Sequence, residues 1–149
     1  MGYNKVNLNL GCPSGTVVKK MRGAGALKDL DALDKFLDNI FTKADIEISV
    51  KSRTGYFSHN EFDQILNIYN KYPISELIIH PRIREEFYKG SPNMQSFDKA
   101  YKNSKTKLCY NGNIYQKEDY EKIKNDYTIN SCMIGRGAIK NPAIFREIK

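Results

Sequence analysis

The sequence predicts an α/β fold in which about five parallel strands form one sheet with flanking helices. Five short runs rich in Ile, Val and Leu have the length and alternation of strands. They are Lys5–Leu10, 45–51, 76–80, 106–110 and 131–135. Segments with helical spacing of apolar residues separate the first four runs. This alternation is typical of parallel sheets with right-handed crossovers.

Two of the intervening segments have a clear apolar face at helical spacing. One spans 30–41, and the other spans 62–69, with Ser58 or Asn60 as its N-cap. A weaker helix is predicted at 96–102. Tyr120 and Ile123 mark a short helix after Gln116. The sequence therefore places one helix after most of the strands.

The composition fits one globular domain over residues 1–149, with 40% hydrophobic residues. A net charge of +7 suits an anionic partner such as RNA, a phosphate or a membrane surface, although a lysine-rich surface without a partner explains it equally well. The three cysteines form no CxxC pair, and two histidines are too few for a usual metal cluster. These counts argue against a disulfide scaffold and a zinc site. No signal peptide or run of 18 apolar residues occurs, so we expect a reduced, cytoplasmic protein without a membrane span.

A cluster of polar, Gly or Pro residues follows each predicted strand. The clusters are Gly11-Cys12-Pro13, 51–55, 80–84, Asn111-Gly112-Asn113 and Gly135-Arg136-Gly137. If the strands belong to a barrel, their carboxyl ends converge on one rim, where active sites are built. Five clusters in register therefore predict a single site.

Cys12 lies in the turn directly after the first strand. A cysteine there is either a small apolar residue that fills a gap in the core or a reactive thiol. Its neighbours favour a site, because Gly11 permits close backbone approach. Asn7 and Asn9 share one strand face, where they need polar partners or a wet cavity.

The other clusters permit both a structural and a functional interpretation. Lys51 is either a lysine snorkelling at a strand end or a fixed cation beside an anionic or electron-rich ring. His80 follows two apolar residues and is either a core histidine or a ligand contact. The clusters at 111–113 and 135–137 are either turns or phosphate-binding loops. Gly23-Ala24-Gly25 lacks the third glycine and the preceding strand of a dinucleotide fingerprint.

Together these motifs resemble the tRNA-dihydrouridine synthase family. The matching segments are Asn9-Leu10-Gly11-Cys12-Pro13, 23–27, 50–55, 79–82, 111–114, 133–138 and Asn141-Pro142. They follow the family's order over nearly the whole chain. Each motif alone is modest, but the set is specific.

The resemblance implies an FMN-dependent enzyme on a partial (β/α)8 TIM barrel. Such enzymes reduce uridines of tRNA to 5,6-dihydrouridine, and NADPH recharges the flavin. Cys12 would be the general acid that protonates C5 of uracil while the reduced flavin gives a hydride to C6. Lys51 and His80 would contact the flavin ring or its ribityl chain. The phosphate end would be held by Asn111, Gly112, Asn113, Gly135 and Arg136.

Asn9 and Arg82 would be candidates for contact with the target uracil or the flavin edge. Asn113 stands where the resemblance leads us to expect an acidic residue, although backbone contacts would survive that change. The resemblance also aligns the chain with strands four to eight of the barrel. The first three strands and a C-terminal helical tRNA-binding domain would then be missing, and we expect a fragment. Its first strand would have an open edge, which favours self-association.

Two other functions stay open from the sequence. One is an FMN barrel oxidoreductase acting on a small pyrimidine, although His80-Pro81-Arg82 and the positive charge favour RNA. The other is a truncated, non-catalytic remnant that binds RNA through its basic surface, with strong salt dependence and without flavin.

Overall fold

The computed structural model describes residues 2–149 and contains one five-stranded parallel sheet. Its strands are β1 (Lys5–Leu10), β2 (Glu47–Gly55), β3 (Leu77–Ile83), β4 (Leu108–Tyr110) and β5 (Ser131–Cys132). They lie side by side in chain order, and every neighbouring pair is parallel. This confirms the predicted α/β fold and is consistent with a partial (β/α)8 barrel.

Helices follow the strands, and four of the seven in the described range were predicted from the sequence, namely those near 30–41, 62–69, 96–102 and after Gln116. The seven are α1 (Gly15–Val18), α2 (Leu30–Phe41), α3 (Phe62–Tyr69), α4 (Met94–Asn103), α5 (Lys117–Asp126), α6 (Arg136–Lys140) and α7 (Ile144–Ile148). Short 3₁₀ segments span Gly23–Lys28, His59–Glu61 and Arg84–Glu86. Of the two predicted caps, Ser58 accepts a hydrogen bond from the Asn60 N–H just before α3. The helix predicted at 96–102 begins two residues earlier, because Asn93 caps it.

The core lies between the sheet and the consecutive helices α2, α3 and α4. Leu37, Ile65 and Phe97 are completely buried, one from each of these helices. They pack with strand residues such as Val50 and Leu77, which are buried to the same degree. Burial of each such side chain contributes roughly 1.5–3 kcal/mol. This packing holds the strand ends in a fixed arrangement.

Strands β2 and β3 extend beyond their predicted ends, so residues 52–55 and 81–83 are strand rather than loop. The prediction was wrong there because buried polar side chains occupy the strands. The Ser52 hydroxyl, for example, bonds the Tyr69 hydroxyl at 2.8 Å inside the core. The register also shifts between Arg53 and Gly55, opposite Pro81 of β3. A register shift is where a strand accommodates a proline. Strand β5 is shorter than predicted.

Strand β1 pairs only with β2, so one side of it is an open edge within the described range. Asn7 of β1 donates to the hydroxyl of Ser49 in β2 at 2.9 Å, which provides one of the polar partners that the sequence required. None of the helices in residues 2–149 combines the length and the apolar character needed to cross a membrane.

Candidate active site

A cleft of about 430 Å³ opens at the carboxyl ends of the strands. Its volume lies in the usual range for small-molecule sites, roughly 300–1,000 Å³. The cleft brings together eight of the ten predicted site residues, namely Asn9, Cys12, Lys51, His80, Asn111, Gly112, Gly135 and Arg136. Residues from all five strand ends therefore meet in one place.

Arg82 and Asn113 are the two predicted residues that do not line the cleft. The Arg82 guanidinium is fully buried and donates to the carbonyls of Lys89 and Gly90 and to the Asn113 side chain. Its Nη1 also donates to His80 Nε2 at 2.8 Å. Four of its five N–H donors are thus used inside the protein, and the expected contact of Arg82 with uracil or the flavin edge stays a prediction.

The backbone around Cys12 is held by three other parts of the chain. The Asn9 carboxamide oxygen accepts from the N–H groups of Gly11 and Cys12, both at 3.1 Å. Arg53 Nε donates to the Gly11 carbonyl, and the Ala24 N–H donates to the Cys12 carbonyl, both at 2.9 Å. Every backbone donor and acceptor of these two residues is therefore satisfied. Such a turn holds its side chain in one orientation.

Gly23 packs directly against the Cys12 turn. It has φ +55°, in the left-handed region that favours glycine. A Cβ at this position would lie 2.7 Å from the Cys12 carbonyl oxygen and 2.9 Å from the Cys12 Cβ. A Cβ at Gly25 would lie 2.7 Å from the Val18 carbonyl oxygen. Gly23 thus permits close packing beneath the cysteine turn, and Gly25 permits close packing against the end of α1.

Arg53 is a site residue that the sequence analysis did not single out. Its side chain is only 1% exposed. Besides the Gly11 contact, Nη1 donates to the Ile83 carbonyl at 2.8 Å and Nη2 donates to the Phe87 carbonyl at 2.6 Å. It stands two residues after Lys51 and therefore on the same face of β2. This spacing was the one feature of the sequence that could have placed Arg53 at the site.

His80 is held as a neutral ring beside several cations. Burial, followed by the positive charges of Arg53, Lys51, Arg82 and Arg136, lowers its pKa to about 2. Because an arginine can only donate, His80 Nε2 must accept from Arg82, and the ring carries its hydrogen on Nδ1. His80 is therefore suited to donating one hydrogen bond rather than to accepting a proton.

The far side of the cleft is organised by the segment after β4. The Asn111 amide nitrogen donates to the Met133 carbonyl at 2.8 Å, which ties the ends of β4 and β5 together. A Cβ at Gly112 would overlap the outer end of the buried Tyr110 ring, so a larger residue here would have to displace that ring. The Asn113 side-chain oxygen accepts from Arg136 at 2.9 Å. Asn113 therefore helps to position the Arg136 side chain, which lines the cleft.

Tyr88 also lines the cleft and was missed, because it lies in an irregular loop without strand periodicity. Its ring stacks on His80 with centroids 6.1 Å apart. The Arg136 guanidinium lies 4.8 Å from the same ring. Tyr88 thus joins the two sides of the cleft.

The charged side chains that line the cleft are all positive. Lys51, Arg53 and Arg136 contribute three cations, and the lining contains no Asp or Glu. Burial, followed by repulsion from Arg53, lowers the pKa of Lys51. A cleft of this charge is suited to an anionic ligand.

Comparison with known proteins agrees with this geometry. The family model described as Dihydrouridine synthase (Dus) matches residues 1–149. The chain belongs to the dihydrouridine synthase family. The resemblance seen in the sequence is thereby confirmed.

Three bacterial relatives illustrate the similarity. A tRNA-dihydrouridine synthase B of Shewanella oneidensis is 31% identical over 150 residues, which cover 99% of this chain and 46% of the relative. A probable tRNA-dihydrouridine synthase of Staphylococcus aureus is 32% identical over 154 residues, with the same two coverages. A tRNA-dihydrouridine synthase B of Proteus vulgaris is 32% identical over 151 residues, which again cover 99% of this chain and 46% of the relative. The chain thus spans about half the length of these curated relatives.

We expect Gly23→Ala to lower the free energy of unfolding by about 2–4 kcal/mol, from left-handed strain plus the clash with Cys12. Gly90→Ala is the matched control, since Gly90 has φ +65° and no heavy atom within 4 Å of the added Cβ. Its free energy of unfolding should fall by the backbone strain alone, about 1–2 kcal/mol. Urea unfolding followed by circular dichroism measures both. Equal losses would contradict the packing role of Gly23.

We expect His80 to make the protein less stable in acid. The unfolded chain binds a proton at this ring below its ordinary pKa of 6.5, whereas the folded ring stays neutral down to about 2. Stability is therefore lost as the pH falls below 6.5, by up to about 1.4 kcal/mol per pH unit. His80→Gln, which keeps an acceptor for Arg82, should flatten the profile of unfolding free energy between pH 6.5 and 4.5. Parallel profiles for the two proteins would refute this assignment.

Proposed function

We propose that this cleft reduces a uridine of tRNA to 5,6-dihydrouridine, with FMN as cofactor and NADPH as reductant. The observation that carries the proposal is the fixed turn of Cys12 at the mouth of a cationic cleft in a chain of this family. The relatives named above are tRNA-dihydrouridine synthases. The alternative of an enzyme for small pyrimidines has no such support.

The residues of the cleft fit an FMN molecule. Its phosphate needs cations and backbone or amide donors, and Arg136 with Asn111, Gly112 and Gly135 supplies them along one wall. An added Cβ at Gly135 would meet no heavy atom within 4 Å, so the wall is open there. Lys51 and the Nδ1–H of His80 are the donors proposed for the ring or ribityl chain. When bound, FMN supplies the hydride that C6 of uracil receives.

Cys12 is proposed to supply the proton that completes the reduction at C5. The S–H bond breaks, a C–H bond forms at C5, and the sulfur is left as a thiolate. Lys51 lines the same cleft, and its ammonium group is favoured by negative charge at Cys12. Positioned proton transfer of this kind is typically worth about 10²–10⁴-fold in rate.

Asn9 is proposed to have two roles. Its carboxamide oxygen holds the Cys12 turn, while its amide nitrogen has no hydrogen-bond partner among the described residues and borders the cleft. That nitrogen is the group available for the uracil or the flavin edge. A cytoplasmic location, where tRNA and NADPH are both present, stays a prediction.

The test begins with FMN added to the purified protein, followed by desalting and an absorbance spectrum. We expect retained flavin in the wild type and in Cys12→Ala, and less in Lys51→Met, which lacks a donor to the ligand. With NADPH and unmodified tRNA, Cys12→Ala should reduce uridine at least about 100-fold more slowly. Cys132→Ala in β5 is the matched cysteine control and should keep the wild-type rate.

The outcomes separate the candidate functions. Absence of retained flavin together with salt-sensitive tRNA binding would contradict the catalytic proposal and favour an RNA-binding remnant. Retained flavin with turnover of a free pyrimidine but not of tRNA would favour a small-molecule reductase. Dihydrouridine in tRNA, measured by mass spectrometry and dependent on Cys12, would support the proposal.

We also propose that the open edge of β1 mediates self-association. Unpaired strand edges pair readily with other chains, and Val6 on this strand is an exposed apolar residue. Light scattering should show a mass that rises with protein concentration, and Val6→Lys should reduce this rise. Phe145→Lys, which changes an exposed apolar residue of α7, is the control. A wild-type monomer at every concentration would contradict the proposal.

A further inference from the structure

A second surface lies on the same rim as the cleft. Five residues form it, namely Lys28, Tyr56, Phe57, Arg84 and Phe87, and we call it the aromatic-basic patch. Tyr56 and Phe57 directly follow β2, and Arg84 directly follows β3. The patch therefore borders the cleft, whose lining residue Tyr88 is the next residue after Phe87.

The patch alternates cations and aromatic rings. Lys28 Nζ lies 4.6 Å from the centre of the Tyr56 ring and 5.8 Å from that of Phe57. The Arg84 guanidinium lies 5.6 Å from the Tyr56 ring and 4.9 Å from the Phe87 ring. Tyr56 is buried and forms the floor that the two cations share. Contacts of this type hold the cations in place without neutralising them.

Two of the rings are exposed. Phe57 is 58% exposed and Phe87 is 39% exposed. Burial of such large aromatic side chains would stabilise the protein, so their exposure is unusual. The backbone of Phe87 is also held, because its carbonyl accepts from Arg53. The patch thus presents aromatic surface at fixed positions.

Two carboxylates beside the patch accept hydrogen bonds from the backbone and form no ion pair with the two cations of the patch. Glu61 accepts from the N–H groups of Tyr56, Phe57 and Ser58. Glu86 accepts from the Ile83 N–H. Within residues 2–149, neither Lys28 nor Arg84 forms an ion pair, and the buried Arg84 Nε has no hydrogen-bond partner. Two cations without an ion-pair partner among these residues, beside exposed rings, point to an anionic, planar ligand.

We infer that the aromatic-basic patch binds an unpaired nucleotide of single-stranded RNA beside the nucleotide that enters the cleft. The base stacks on Phe57 or Phe87, and the phosphates contact Lys28 and Arg84. Paired bases cannot offer their faces to these rings, so the patch selects single strands. The inference rests on the proposed function for the identity of the RNA as tRNA, but binding at the patch needs neither flavin nor Cys12.

The test measures affinity for a labelled oligouridylate of about 12 nucleotides by fluorescence anisotropy. We expect Phe57→Ala to weaken binding about tenfold through lost stacking. Lys28→Gln should weaken binding and lower the slope of log affinity against log salt by about 0.7. Phe145→Ala is the matched control, because Phe145 is 52% exposed and lies in α7. It should bind as the wild type does.

Equal affinities of Phe57→Ala, Lys28→Gln and Phe145→Ala would overturn the inference. An affinity for an RNA duplex of the same length that equals the affinity for the single strand would also overturn the inference. Circular dichroism melting of each variant shows whether the fold is intact. Patch-dependent RNA binding without flavin retention or uridine reduction would defeat the proposed function alone. Uridine reduction with RNA affinity unchanged in Phe57→Ala and Lys28→Gln would defeat this inference alone.

Discussion

The buried guanidinium of Arg53 is the interaction on which the cleft depends. A buried cation is costly unless all of its donors have partners, and here Nε, Nη1 and Nη2 donate to the carbonyls of Gly11, Ile83 and Phe87. These carbonyls belong to the turn after β1 and to the end of β3 and the loop beyond it. One side chain of β2 therefore holds both neighbouring strand ends in register with each other. The position of Cys12 follows from that connection.

Charge is distributed around the cleft so that one ring stays neutral among cations. His80 remains unprotonated because it is buried beside Arg53, Lys51 and Arg82. Arg82 in turn contacts Asn113, which contacts Arg136 at the opposite wall. The two walls are thus joined by hydrogen bonds behind the lining. This arrangement leaves the positive field of the cleft available to a ligand.

The loop after β3 connects the cleft to the neighbouring patch. Tyr88 stacks against His80 in the cleft, while Phe87 lies over Arg84 in the aromatic-basic patch. Arg53 holds the carbonyl that joins these two residues. The cleft and the patch therefore have a common anchor, as a site for one nucleotide and a site for its neighbour would require.

The sequence by itself determined the five parallel strands, the helices α2 and α3, and most of the cleft residues. Apolar periodicity and motifs such as Gly11-Cys12-Pro13 are local, so neighbouring residues display them. Tertiary structure alone decided the burial of Arg82, the role of Arg53 and the extension of β2 and β3. The three partners of Arg53 lie 42, 30 and 34 residues away along the chain. A polar residue in a strand end resembles one in a loop until its distant carbonyl partners are folded against it.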